Sequence, residues 1–108
     1  YVGTHTDAHL PLATLSKREI KSEIKKSLDF IKDECDVDNI LSISYPYGGS
    51  KSVSTEVAKI SEEFGFGFGL TMFRGINNQK DLNNRLLLKR VDTNDAPGGK
   101  LNSKEYCI

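Results

Sequence analysis

The chain has no tryptophan, one methionine, two cysteines, two histidines and no excess of charge of either sign. Each scarcity removes a class of explanation. Fifteen Lys and Arg are balanced by fifteen Asp and Glu, so no net field recruits nucleic acid or an anionic membrane surface. No apolar run approaches the roughly 20 residues that a membrane-spanning helix needs. Cys35 and Cys107 stand far apart and outside any C-x-x-C pair, so they read as incidental thiols and a disulfide is unsupported. Such cysteines decide little about compartment. The chain opens with neither an initiator Met nor a charged-then-apolar leader, so any targeting signal would precede Tyr1, and the residues at hand lean only slightly to the cytoplasm. A length of 108 residues predicts one domain, 1–108, with a modest core.

What chemistry the chain has is concentrated at its start. Both histidines lie in Val2-Gly3-Thr4-His5-Thr6-Asp7-Ala8-His9-Leu10. A neutral imidazole binds a divalent metal through one ring nitrogen, and two histidines four apart can share an ion. A helical turn after His5 would put both rings on one face. Leu10-Pro11 disfavours continuing such a turn, because the residue before proline is pushed out of the α region. The pair is therefore expected in a loop after a short strand ending near Thr4, where α/β scaffolds usually hold their chemistry. A bare H-x-x-x-H is a weak signal, and the bland alternative is two polar loop residues bonded to backbone.

The rest of the chain reads as alternating helix and strand. Ser16-Lys17-Arg18-Glu19 is a capping box, and Ile20, Ile24, Leu28, Ile31 and Cys35 form one apolar stripe, so a helix is expected over about 17–35. Asp36 to Asn39 is a turn, and Ile40 to Ser44 a buried strand stopped by Tyr45-Pro46-Tyr47-Gly48-Gly49. A second helix is expected over about 53–64, capped by Ser52 or Ser54 and stopped by Gly65. Phe66 to Met72 makes the next strand, with Phe66 and Phe68 as an aromatic face and Gly65, Gly67 and Gly69 leaving room for a close neighbour. The spacing of these glycines does not match G-x-G-x-x-G, and no helix opens after them, which argues against a nucleotide site. Residues 75–84 form an Asn-rich loop, Leu86 to Val91 a last strand, 92–99 an irregular segment and 100–108 a short helix or tail. The order implies an α/β fold of parallel βαβ units with right-handed crossovers.

Gly3 to Leu10, followed by Leu15-Ser16 and a Glu-rich helix, resembles the H-[ST]-x-x-H motif of the NodB-type polysaccharide deacetylases. Ser44-Tyr45-Pro46-Tyr47-Gly48 resembles the R-x-P-[YF]-G motif of the same family. The resemblance covers roughly residues 1–97, and it implies the C-terminal portion of such a domain, built as a partial, distorted (β/α) barrel. It implies a metal-dependent carbohydrate deacetylase, a hydrolase acting on N-acetyl or O-acetyl groups of a sugar or polysaccharide. His5 and His9 would be ligands to zinc or another divalent metal, Tyr47 an oxyanion donor through its amide, and Thr6 a support of the loop. Tyr45 and Phe73 are candidates to line the sugar cleft.

The chain departs from the family pattern in several places. Ser44 stands where the motif has arginine, and Arg90 is the candidate substitute, against the plain reading of a solvated strand-end residue. Asp92 and Asp95 fall near the family's later acidic motif but lack its tryptophan, so turn formation is the stronger reading. No T-F-D-D motif, which supplies the base and third ligand, lies in the chain, and no third histidine stands for the late L-x-H motif. The isolated chain is thus expected to be inactive, and the rival reading is a non-catalytic carbohydrate-binding or structural remnant. A barrel strand missing before Thr4 would leave an open edge, from which a homo-oligomer is expected.

Overall fold

The computed structural model describes residues 1–94. Its frame is a three-stranded parallel sheet in the order β1 (Ser42–Ser44), β2 (Phe68–Arg74), β3 (Leu88–Arg90). Thr4 extends the sheet beyond β1 by a single parallel bridge to Ile43, with Thr4 N donating to Ser42 O at 3.0 Å and Ser44 N to Thr4 O at 2.9 Å. The expected first strand is thus one bridge long. Among the described residues the sheet is open rather than closed on itself, and its parallel strands match the expected βαβ arrangement.

Two helices supply most of the rest of the core. The first, α1 (Lys17–Cys35), begins where the capping box places it: Glu19 N donates to Ser16 Oγ at 3.2 Å and Ser16 N to Glu19 Oε1 at 3.1 Å. Hydrogen bonding of its carboxylate to the Ser16 amide, and secondarily to the Ser16 hydroxyl, holds the Glu19 carboxyl below its ordinary pKa. It ends at Asp36, which is left-handed at φ 50°. Ile20, Ile24 and Leu28 are buried as the stripe requires, while Cys35 is exposed. The second, α2 (Thr55–Glu63), takes Ser54 as its cap, through Val57 N to Ser54 Oγ at 3.2 Å. Val53 is buried ahead of this helix rather than on it, and Gly65 follows it at φ +88°.

Burial alternates across the sheet. Ile43, its partner Gly69 and Thr71 are buried, and Ile43 joins Ile20, Ile24, Val57 and Ile60 in one core. Phe68 and Met72 on β2 are exposed, so the other face is open. The expected aromatic face does not form. Gly67 N and Phe68 N both donate to Leu41 O, at 2.7 and 3.3 Å, and the strand begins only at Phe68, so buried Phe66 lies outside it. Gly69 does permit a close approach: a Cβ there would lie 2.5 Å from the Tyr45 hydroxyl and 2.7 Å from Leu86 O. Between β2 and β3 the chain forms 3-10 turns over Asp81–Leu87, interrupted at Asn84 (φ −120°, ψ 56°). Asp81, the first residue of this segment, accepts from Asn78 N at 2.7 Å, a bond that lowers its carboxyl pKa.

Candidate functional site

The carboxyl end of β1 gathers the two histidines and the Tyr47 turn. Ser44 closes the strand, and its carbonyl lies 2.6 Å from His5 Nδ1. A carbonyl can only accept, so Nδ1 carries a proton, and in the neutral ring this tautomer leaves the lone pair on Nε2. The His5 and His9 rings stand edge-on with centroids 4.7 Å apart, and the Tyr47 ring meets His9 at 4.8 Å.

The histidines meet by a route other than a helical turn. Thr6 (φ 68°) and His9 (φ 56°) are both left-handed, and together they fold the loop back so that the rings converge. Tyr47 is left-handed as well, at φ 63°. Of the four non-glycine residues with positive φ among those described, three are at this site. Such conformations cost about 1–3 kcal/mol each and persist only where surrounding contacts over-determine them. Here the contacts come from α1. Ala8 N donates to Glu23 Oε1 at 2.9 Å, and the hydroxyls of Thr4 and Ser27 are hydrogen-bonded. Thr6 N in turn donates to Thr4 Oγ1 at 3.1 Å. The expected support from Thr6 comes instead through the Thr4 hydroxyl, since Thr6 Oγ1 is buried with no partner among the described residues.

The Tyr47 turn is fixed by Gly48 N to Pro46 O at 2.7 Å and by Met72 N to Gly48 O at 3.0 Å. Gly48 is required there: at φ +67° a Cβ would lie 2.6 Å from Met72 N. None of these backbone bonds uses the Tyr47 amide, and the ring is exposed.

Other sequence candidates lie elsewhere. Tyr45 does not line a cleft: it is fully buried, donating its hydroxyl to Leu86 O at 2.7 Å, and burial pushes its pKa up to about 12 against a weaker opposing bond with Ser61. Phe73 is exposed on β2, and no ring contact joins it to the histidines among the described residues. Arg90 ends β3 at the same end of the sheet as Ser44, opposite Arg74. Its Nε is buried without a partner among the described residues, and it lines a cavity of about 210 Å³ with Met72, Arg74 and Asp92. Met72 links that cavity to the Tyr47 turn, but Arg90 touches neither histidine by hydrogen bond or ring contact. Asp92 accepts from Asn94 N at 2.8 Å, as a turn former does. Asp95 and Cys107 lie outside the described residues.

Glu23, Ser27 and the Ser44 carbonyl are site-building groups that the motifs did not single out. One signal was available, a glutamate between Ile20 and Ile24 on an otherwise apolar stripe. The donors fit a divalent metal in kind and tautomer, as two imidazoles with one Nε2 kept free by a carbonyl bond. Among the described residues no cluster of three His, Cys, Asp or Glu side chains completes the set.

Comparison with known proteins supplies a family and a fold. No curated protein matches the chain. A solved structure, Streptococcus pyogenes deacetylase PplD in complex with acetate, superposes with a TM-score of 0.71 at 26% identity, covering 82% of this chain. The chain spans 37% of the length of that structure. The polysaccharide deacetylase family model matches residues 1–68, a stretch that includes both the histidine loop and the Tyr47 turn. The chain belongs to the polysaccharide deacetylase family.

Proposed function

We propose that this chain carries the histidine half of the metal centre of a carbohydrate deacetylase, which hydrolyses N-acetyl or O-acetyl groups on a sugar or polysaccharide. One observation carries the reading: the His5 and His9 rings converge at 4.7 Å while the Ser44 carbonyl holds His5 Nδ1. His5 and His9 would hold zinc or another divalent ion. When bound, such an ion lowers the pKa of water and polarises an acyl oxygen. The Tyr47 amide, outside the backbone bonding of its turn and in the residue whose ring meets His9, would donate to the acyl oxygen as negative charge builds there. Acetate, named in the description of the similar deacetylase structure, is the product such a reaction releases.

The base and third ligand would be a carboxylate from outside the motifs present here, and Arg90 is the candidate to orient it, from the same end of the sheet. The uncovered sheet face and the single-bridge edge at Thr4 suit further strands or a second copy of the chain. A second reading, a non-catalytic remnant that binds carbohydrate, draws on the two-ligand donor set among the described residues.

Calorimetric titration with zinc tests the metal reading. Weak binding is expected, and a His5→Ala, His9→Ala double variant should lose it with an unchanged far-ultraviolet spectrum. Equal affinity in the two proteins would refute the ligand assignment. Acetate release from an acetylated chito-oligosaccharide separates the two readings: the chain alone should be inactive, because a missing general base costs about 10²–10⁴-fold, and activity should appear when a segment carrying the two aspartates is joined to it. Continued inactivity of the joined protein would favour the remnant.

A further inference from the structure

We propose that Glu23 is the positioning residue of the histidine loop: by accepting from the Ala8 amide it fixes the backbone that carries both imidazoles, and so sets their affinity for a metal. The proposal rests on the metal-site reading above. Glu23 lies on the buried stripe of α1, between Ile20 and Ser27, and is 8% exposed. A buried carboxylate is costly unless its oxygens are hydrogen-bonded, and here Oε1 meets Ala8 N at 2.9 Å. Ala8 lies within the strained part of the loop, with left-handed Thr6 on one side and left-handed His9 on the other.

The two histidines depend on different anchors. His5 is held by its own side chain, through Nδ1 and the Ser44 carbonyl. The His9 ring is placed by edge contacts with His5 and Tyr47, so its position depends on the backbone just before it. That backbone is what Glu23 holds. Ser27 performs the matching task one turn further along α1, through the Thr4 hydroxyl and hence the Thr6 amide, so one helix face ties the loop at both ends. Polar groups that orient metal ligands typically change affinity by about 10–100-fold when removed. The part of Glu23 that matters is a neutral acceptor's oxygen as much as a charge, so glutamine at this position should serve.

The test compares Glu23→Ala, Glu23→Gln and, as a core control away from the loop, Ile60→Val. Two quantities are read on the full chain: hydrogen exchange at the Ala8 amide, and zinc affinity by calorimetry. Glu23→Ala should expose the Ala8 amide to exchange and weaken zinc binding by about 10–100-fold. Glu23→Gln should retain most of both, and Ile60→Val should alter neither beyond its effect on global unfolding. Wild-type exchange at Ala8 in Glu23→Ala, an affinity loss no larger than that of Ile60→Val, or a Glu23→Gln variant as impaired as Glu23→Ala would each overturn the proposal. Failure of the wild-type chain to bind zinc would sink the metal reading instead, and the exchange comparison would still decide whether Glu23 holds the loop.

Discussion

Tyr45 and Tyr47 stand on either side of Pro46, and the chain uses them in opposite ways. Tyr45 is fully buried with its hydroxyl bonded to Leu86 O, whereas Tyr47 is 63% exposed with its ring against His9. In a continuing strand, residues two apart share a face. The left-handed backbone of Tyr47 and Gly48 breaks that rule and turns the second ring out of the core toward the histidines. The end of β1 is therefore a boundary between two kinds of structure. Before it, side chains fill space around an unstrained strand. Beyond it, strained loops set groups at chosen positions, and their stability is borrowed from α1 and β2 through hydrogen bonds.

The most damaging way to break the Tyr45 side of this comparison is Gly69→Ala. The new methyl would sit 2.5 Å from the Tyr45 hydroxyl, 2.9 Å from its ring and 2.7 Å from Leu86 O. A ring packed at zero exposure and the carbonyl of buried Leu86 in the 3-10 segment both have little room to move. Overpacking of this kind costs about 1–3 kcal/mol, and the upper end is expected here. Urea unfolding should read it as a lowered midpoint with an unchanged slope. A wild-type midpoint would mean that the Tyr45 contact yields easily and is no fixed part of the core.

Tyr45→Phe is expected to cost less, roughly 1–2 kcal/mol, by leaving the Leu86 carbonyl without its donor. Its pH dependence sharpens the assignment. Burial raises the folded-state pKa from 10.0 to about 12, so the neutral phenol is the form the fold favours. Stability from Tyr45 is complete below pH 10 and is lost as pH rises through 10 toward 12. The wild-type advantage over Tyr45→Phe should therefore shrink across that window, read from unfolding midpoints of the two proteins side by side. A constant gap would show that the phenol is already solvated.

The two sides of the boundary were unequally legible in sequence. Capping is local, so Ser16 and Glu19 gave the start of α1 directly, and the apolar stripe carried it to Cys35. The same logic left two caps open for α2, and Ser54 acts because Val53 is needed in the core ahead of the helix. At the site, the four-residue spacing placed the histidines together, yet their geometry comes from left-handed Thr6 and His9, which spacing does not encode. Their supports are bonds across 15 residues to Glu23 and across 39 to the Ser44 carbonyl, and such pairings exist only once α1 and β1 are packed. The failed aromatic face has a similar cause: Leu41 O takes two amides, delaying the strand to Phe68, and neither residue advertises that pairing.

The smallest expected effect lies on the other side of the turn. Tyr47→Ala keeps the backbone amide and the left-handed conformation, and removes only a ring that is mostly in solvent. Exposed substitutions of this kind usually stay within about 0.5 kcal/mol of wild-type stability. The change should appear instead at His9, which loses an edge contact worth about 0.5–1 kcal/mol. Zinc affinity should fall by no more than roughly fivefold, and the His9 ring proton resonances should shift while those of His5, held by the Ser44 carbonyl, should move less. Deacetylation by a protein completed with the base-carrying segment should survive, because the group assigned to the acyl oxygen is the amide rather than the phenol. A Tyr47→Ala unfolding midpoint as low as that of Tyr45→Phe would place Tyr47 in the core after all, and the boundary drawn at the end of β1 would have to move past Gly48.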